Sequence, residues 1–151
     1  MTRKKTALPE LLAPAGDLGK LETALYFGAD AVYVGGESFS LRAMAGNFSL
    51  PQLEKARRLT REFGKALYLT LNAYLVPEDF PRLQNYLEEL RPLDIDAYIV
   101  SDPGAIALIR RVDPQRLLHL STQANTTNAA AANFWRQTGI RRVNLGRELS
   151  L

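Results

Sequence analysis

The chain has 151 residues, a length that suits one domain with a real core. With 46% hydrophobic and 23% charged residues, 10 Gly and 8 Pro, it is neither disordered, collagen-like nor coiled-coil. Its net charge of +3 permits nucleic acid as a partner without implying it. There is no Cys and a single His, which excludes a disulfide scaffold and a Cys nucleophile and leaves zinc or an iron–sulfur cluster without its usual ligands. No run of 18 apolar residues occurs, and Met1-Thr2-Arg3-Lys4-Lys5 leads into Pro9-Glu10, not into the apolar stretch of a signal peptide. A cytoplasmic protein without membrane contact is the expectation, with residues 1–8 as a flexible basic lead and 9–151 as the folded part. In that setting the sequons at Asn47 and Asn125 carry no glycosylation.

Short apolar runs at Leu11–Ala13, Ala31–Val34, Ala66–Leu71, Ala97–Val100, Leu117–Leu120 and Val143–Leu145 predict six strands. Their spacing fits strand-plus-helix units and is too long for hairpins, so the sheet should be parallel. Asp17 is a helix cap, Leu18, Leu21 and Leu25 share a face, and Gly28 suits the left-handed residue that ends the helix. Ser49 with Gln52 forms a capping box for a second helix that stops at Gly64. Pro77-Glu78-Asp79 opens a third, which presents Phe80, Leu83, Leu87 and Leu90 on one side and closes at Pro92. Asp102-Pro103 caps a fourth with Ile106 and Ile109 inward. A fifth runs from about Asn128 through Phe134 and Trp135 to Gly139, and Ser150 would cap a sixth.

Six such units fit either an open doubly wound sheet or most of an eight-stranded barrel. The barrel is favoured, because Ala13-Pro14-Ala15-Gly16-Asp17 stands where a glycine-rich nucleotide loop would follow the first strand. The strands also alternate. Tyr68, Thr70 and Asn72 form one column against Leu67, Leu69 and Leu71, and His119, Ser121 and Gln123 oppose Leu118 and Leu120. Helices would cover the oily face, and the polar columns would line a lumen whose site lies at the C-terminal strand ends. The expected class is therefore α/β, a partial TIM-like (β/α) barrel of about six parallel strands that ends before closure.

The polar residues at those ends are the candidates for ligand contact. Ser121, Thr122, Gln123 and Asn125 form the densest run of uncharged donors and acceptors, and Asn72 ends the third strand. Arg42 follows Gly35-Gly36, Ser38 and Ser40, an arrangement that could meet an anion, although a glycine pair at a strand end is usually only a turn. Arg147 could grip carboxylate or phosphate with two bonds, or simply pair with Glu148. Asp17 and Asp102 read better as caps than as acids or bases. His119 lies roughly 6–7 Å from Ser121 along the strand, too far for a base-to-hydroxyl bond, so a hydrogen-bonded core histidine is the plainer reading. The Arg pairs 57–58, 110–111 and 141–142, with Arg61 and Arg116, read as a solvated outer face, with RNA binding a weaker reading.

Five motifs stand in order: Pro9-Glu10-Leu11-Leu12-Ala13-Pro14-Ala15-Gly16, Gly28-Ala29-Asp30-Ala31-Val32-Tyr33-Val34-Gly35, Ser101-Asp102-Pro103-Gly104, His119-Leu120-Ser121-Thr122-Gln123-Ala124-Asn125 and Arg147-Glu148-Leu149-Ser150-Leu151. Together they resemble the collagenase-like peptidase family U32. Phe39-Ser40-Leu41-Arg42, Phe134-Trp135 and Arg147-Glu148-Leu149 look most like its branch for prephenate-dependent hydroxylation of the tRNA wobble uridine.

The resemblance implies a barrel-like N-terminal domain with further strands and a C-terminal domain after it. It also implies, in several branches, an iron–sulfur cluster on cysteines beyond residue 151. The His119–Asn125 run and Arg147-Glu148 would belong to the site at the barrel mouth, with tRNA and a small anion such as prephenate as partners. Two alternatives stand beside this: a collagenase-like hydrolase, which lacks a visible nucleophile–base pair here, and a non-catalytic anion- or RNA-binding module. The 151 residues alone are expected to be inactive, and open strand edges are expected to make them self-associate.

Overall fold

The computed structural model describes residues 8–41 and 46–150. Along this chain run β1 (Leu12–Ala15), α1 (Leu18–Tyr26), β2 (Ala31–Gly35), α2 (Leu50–Glu62), β3 (Ala66–Leu71), α3 (Phe80–Leu90), β4 (Ala97–Val100), α4 (Pro103–Val112), β5 (Leu117–Leu120), α5 (Ala129–Gln137) and β6 (Arg142–Val143). Short 3-10 turns occupy Pro77–Asp79, Arg91–Leu93 and Thr122–Ala124. Every strand pairs in parallel with the next, in the order β1-β2-β3-β4-β5-β6. The sheet curls into a half-barrel with the helices on its outside.

Local chemistry sets the element ends. Asp17 and Asp102 accept from the amides of Lys20 and Ala105 at 2.8 Å each, so both acids cap helices. Gln52 accepts from the Ser49 amide at 2.9 Å and from its hydroxyl at 3.1 Å. Gly28 and Gly64 end α1 and α2 at φ +92° and +65°, where a Cβ would be strained.

The sheet's outer face carries Val32, Val34, Leu67, Leu69, Leu71, Tyr98, Val100, Leu118 and Leu120 into one core with helix residues such as Leu21, Leu53, Leu83, Leu87 and Ile109. A smaller cluster on the inner face joins Ala31, Tyr68, Ala97 and Ile99 with Leu12, Tyr33 and Ala66. The two faces of the alternating pattern therefore go where the sequence sends them.

Three expectations are corrected in detail. The first strand starts at Leu12 and extends to Ala15. The sixth is shorter and earlier than Val143–Leu145: the Asn144 amide still reaches the Leu120 carbonyl at 3.0 Å, but Leu145 turns out to solvent. The arginines are not all a solvated face. The Arg57 side chain is 11% exposed and binds Asp96 through two nitrogens at 2.7 and 3.0 Å, Arg116 is buried, and Arg142 enters the lumen. Asp96 also accepts from the Leu67 amide at 2.8 Å, so Arg57 anchors the start of β3.

Candidate functional site at the barrel mouth

The lumen column of β3 runs Tyr68, Thr70, Asn72, and in the sheet register Thr70 lies beside Ile99, Ile99 beside His119, and His119 beside Arg142. Beyond this row, toward the C-terminal strand ends, opens a cavity of about 350 Å3. Asn72, Ser121, Thr122, Gln123, Asn144 and Arg147 form its polar wall; Leu12, Tyr33, Leu41 and Ile99 form its apolar one.

Asn72 is the hub. Its Nδ2 donates to Gln123 Oε1 at 3.2 Å and to Ser121 Oγ at 3.3 Å, while its Oδ1 accepts from the Leu41 amide at 3.3 Å. The Ser101 hydroxyl donates to its carbonyl at 3.3 Å. The Asn72 side-chain amide thus ties the end of β3 to the end of β5 and to the chain after β2, and its backbone carbonyl ties it to the end of β4. Below it, the Ser40 and Thr70 hydroxyls are bonded at 2.8 Å, and Thr70 donates to the Val34 carbonyl at 3.1 Å. Asn72→Ala strips the Leu41 amide and the Ser121–Gln123 pair of their partner inside the fold, so a loss of about 1–3 kcal/mol in urea unfolding is expected.

Of the residues the sequence singles out, Asn72, Ser121, Thr122, Gln123 and Arg147 line this cavity. Asn125 and Glu148 do not. Asn125 is exposed in a left-handed conformation at φ +48°, ending the Thr122–Ala124 turn, and Glu148 is exposed beside Gly146. Arg147 makes no ion pair with Glu148 or with any other described residue, and its guanidinium is the one cation in the described cavity lining. Arg42 lies outside the described residues. A Cβ on Gly35 would meet Ser40 Oγ at 2.9 Å, and one on Gly36 would collide with the Tyr86 hydroxyl, so close packing calls for glycine at both positions.

Asn144 escaped the sequence reading, although it is in phase with Arg142 on the lumen side of β6. So did a cluster nearer the strand N-termini. There Arg142 binds Glu10 through two nitrogens at 2.5 and 3.0 Å. The Tyr68 hydroxyl donates to the same carboxylate at 3.0 and 3.2 Å. Arg142 holds the Glu10 carboxyl below its ordinary value, and Glu10 in turn raises Arg142. Burial, and then the bond to Glu10, pushes the Tyr68 phenol up.

His119 stands its ring edge-on to Tyr68 at 4.7 Å. It packs on an aromatic where a hydrogen bond was expected, and burial, helped by Arg142, lowers its pKa to about 4. Neutral at pH 7 and unbonded to Ser121, it forms no nucleophile–base pair. The Ser121 hydroxyl instead donates to Gln123 Oε1. Among the described residues no group of three His, Cys, Asp or Glu side chains could hold a metal ion. With no Cys in the chain, its own side chains do not fit an iron–sulfur cluster.

The family model "Peptidase family U32" matches residues 16–151. The chain belongs to peptidase family U32. Its similar relatives in that company include tRNA hydroxylation protein P1 of Bacillus subtilis, 41% identical over 145 residues and covering 96% of this chain but 34% of the relative. Another is tRNA hydroxylation protein P of Escherichia coli, 41% identical over 146 residues, covering 95% of this chain and 32% of the relative. The chain therefore spans about a third of these relatives' length. Among solved structures, the U32 peptidase Mk0906 superposes with a TM-score of 0.72 at 13% identity, covering 96% of this chain and 61% of that one. This U32 chain thus has the family's barrel fold over nearly its whole length. No helix among its described residues is long and apolar enough to cross a membrane.

Proposed function

We propose that the chain is the N-terminal barrel segment of a protein that takes part in hydroxylation of a tRNA uridine, with the mouth cavity as its ligand site. The observation that carries this reading is the 41% identity to tRNA hydroxylation proteins of two different bacteria across 95% or more of the chain. The cavity chemistry supports it. Asn72, Gln123 and Asn144 offer neutral amides suited to a polar ring edge, the apolar wall suits a ring face, and Arg147 suits one anionic group. Arg147, Asn72, Gln123 and their neighbours bind and orient in this scheme. Arg42, the residue that follows Leu41 of the cavity lining in the sequence, is proposed as a second anion contact, and Asn125 and Glu148 as outer contacts on the rim.

A small anionic metabolite such as prephenate as co-ligand, a cytoplasmic location, and self-association of the isolated 151 residues along the outer edges of β1 and β6 belong to the same proposal. An iron–sulfur cluster in the whole protein would need ligands from outside these residues. The hydrolase alternative is less well supported, because Ser121 is committed to Gln123 and Asn72 and has no base.

The test is complementation. The whole protein carrying this sequence is expressed in a bacterium that lacks its own tRNA hydroxylation protein, and the hydroxylated uridine of total tRNA is measured by nucleoside mass spectrometry. Restoration is expected, with Arg147→Ala reducing it about tenfold, the size of one lost charge-assisted contact. Absence of restoration by a well-expressed protein overturns the reading; restoration unaffected by Arg147→Ala removes Arg147 from the site.

A further inference from the structure

We infer that Glu10 is a positioning residue for the mouth cavity: through its forked ion pair with Arg142 across the lumen it fixes where β6 sets Asn144 and Arg147. The inference concerns the cavity's geometry and holds whatever the cavity binds.

Glu10 lies two residues before β1, and Arg142 opens β6. These are the two outer strands of the six, so no ladder of backbone hydrogen bonds joins them. Yet the pair, 132 residues apart in sequence, closes with both guanidinium nitrogens on both carboxylate oxygens. Such a fork fixes orientation as well as distance, which a single-point contact would not. Tyr68 reinforces it from β3. Its hydroxyl donates to the Glu10 carboxylate, its ring lies 5.5 Å from the Arg142 guanidinium, and the His119 ring from β5 packs edge-on against it at 4.7 Å. Four elements of the half-barrel therefore converge on one carboxylate.

Three of them carry a cavity residue a short step further along. Tyr68 leads to Thr70 and Asn72, His119 to Ser121 and Gln123, and Arg142 to Asn144 and Arg147. The three are not equally well held. β3 has ladders on both sides and Asn72 its own hydrogen bonds, whereas β6 pairs with β5 through only His119 with Arg142 and Leu120 with Val143. A two-residue edge strand constrains the following segment weakly. After it, the Asn144 amide bonds Leu120 and the Gly146 amide bonds the Thr126 carbonyl, but among the described residues no side-chain bond fixes Asn144 or Arg147. Among the described residues the Arg142 side chain is the one long-range anchor of β6 on the lumen side, and Glu10 is what it grips. The Glu10 carboxyl, held below its ordinary 4.5 chiefly by Arg142, stays ionised through the neutral range, so the anchor is charged on both sides.

A role confined to stability would weaken the whole fold and leave the Asn144–Glu148 segment as it is. The whole protein carrying this sequence, labelled with 15N, is therefore compared with its Glu10→Gln variant and with Leu87→Ala, a control that empties part of the outer core without touching the lumen. Expected for Glu10→Gln are a shift of the Asn144 side-chain amide and a fall of the backbone order parameters over 144–148 from ~0.85 toward ~0.6. The amides of α1 to α4 should keep their wild-type values. Leu87→Ala should lower the melting temperature without moving 144–148. The inference is overturned if Glu10→Gln leaves 144–148 ordered as in the wild type, or if Leu87→Ala disorders that segment equally. Should Glu10→Gln not fold, Tyr68→Phe, which removes the second support of the same carboxylate, is read in its place by the same two criteria. Since neither criterion involves tRNA, a failure here leaves the hydroxylation reading untouched, and a failure of complementation leaves this one untouched.

Discussion

Replacing Arg116 by Met should lower the unfolding free energy by about 3–5 kcal/mol, the cost of leaving a buried charge without its partner. Arg116 and Asp113 are 8% and 5% exposed, and Nε meets the carboxylate at 2.8 Å. The guanidinium also donates to the carbonyls of Ile95 and Arg91, and it lies 5.4 Å from the centre of the Tyr98 ring, whose hydroxyl is 3.4 Å from Asp113. Methionine fills much of the space and satisfies none of these groups. The contrast is Arg61 with Asp94, a pair whose side chains are 57% and 64% exposed, where the same substitution should cost less than about 1 kcal/mol. Removing both buried charges, in Arg116→Met with Asp113→Leu, should recover a large part of the loss. Urea unfolding of the wild type and these three variants decides it: if Arg116→Met and Arg61→Met cost alike, the buried network contributes no more than a surface pair.

Arg116 also shows where sequence reading stops. Leu117–Leu120 was recognisable as a strand because it is apolar and lies in the middle of the sheet, and the same holds for Ala66–Leu71 and Ala97–Val100, all three of which match to the residue. β1 and β6 have one strand neighbour each, so backbone pairing rather than side-chain pattern sets their limits, and there the reading slipped. Caps were legible at Asp17, Ser49 and Asp102 because their chemistry is local.

An arginine gives no such local sign. Arg111 and Arg116 look alike in the sequence, yet one is exposed and the other buried, because only Arg116 meets carbonyls freed where α3 ends and β4 begins. The mouth was legible as far as strand alternation reaches, at Asn72, Ser121 and Gln123. Asn125 follows a 3-10 turn that breaks the alternation, and its left-handed backbone carries it out to solvent. Glu10 and Arg142 meet across the lumen, and no periodicity encodes a contact 132 residues long.

Acid should destabilise the protein in two separable limbs, the upper of them set by His119. Burial holds its folded pKa at about 4, against an ordinary 6.5. Between these values the unfolded chain binds the proton and the folded one does not, so stability is full above about pH 6.5, falls as pH drops toward 4, and levels off below. The shift corresponds to a loss on the order of 2 kcal/mol once reduced for solvent screening in the open lumen. Glu10 produces the lower limb with the opposite charge logic. Its folded pKa is depressed, so its contribution is present above 4.5 and is lost as pH falls through the folded value. Asp30, lowered by the Leu11 amide and Lys65, adds to the same limb. His119→Phe keeps a ring against Tyr68 and removes the titration. Its stability should be flat between pH 6.5 and 4.5, with the lower limb intact, while Glu10→Gln should keep the upper limb and shrink the lower. Parallel profiles for wild type and His119→Phe above pH 4.5, in urea unfolding at stepped pH, would show that His119 takes up its proton as readily in the folded lumen as outside it. In that case His119 would be a second cation beside Arg142 in mildly acid solution, and the neutral lumen floor that leaves Arg147 as the cavity's cation would have to be abandoned.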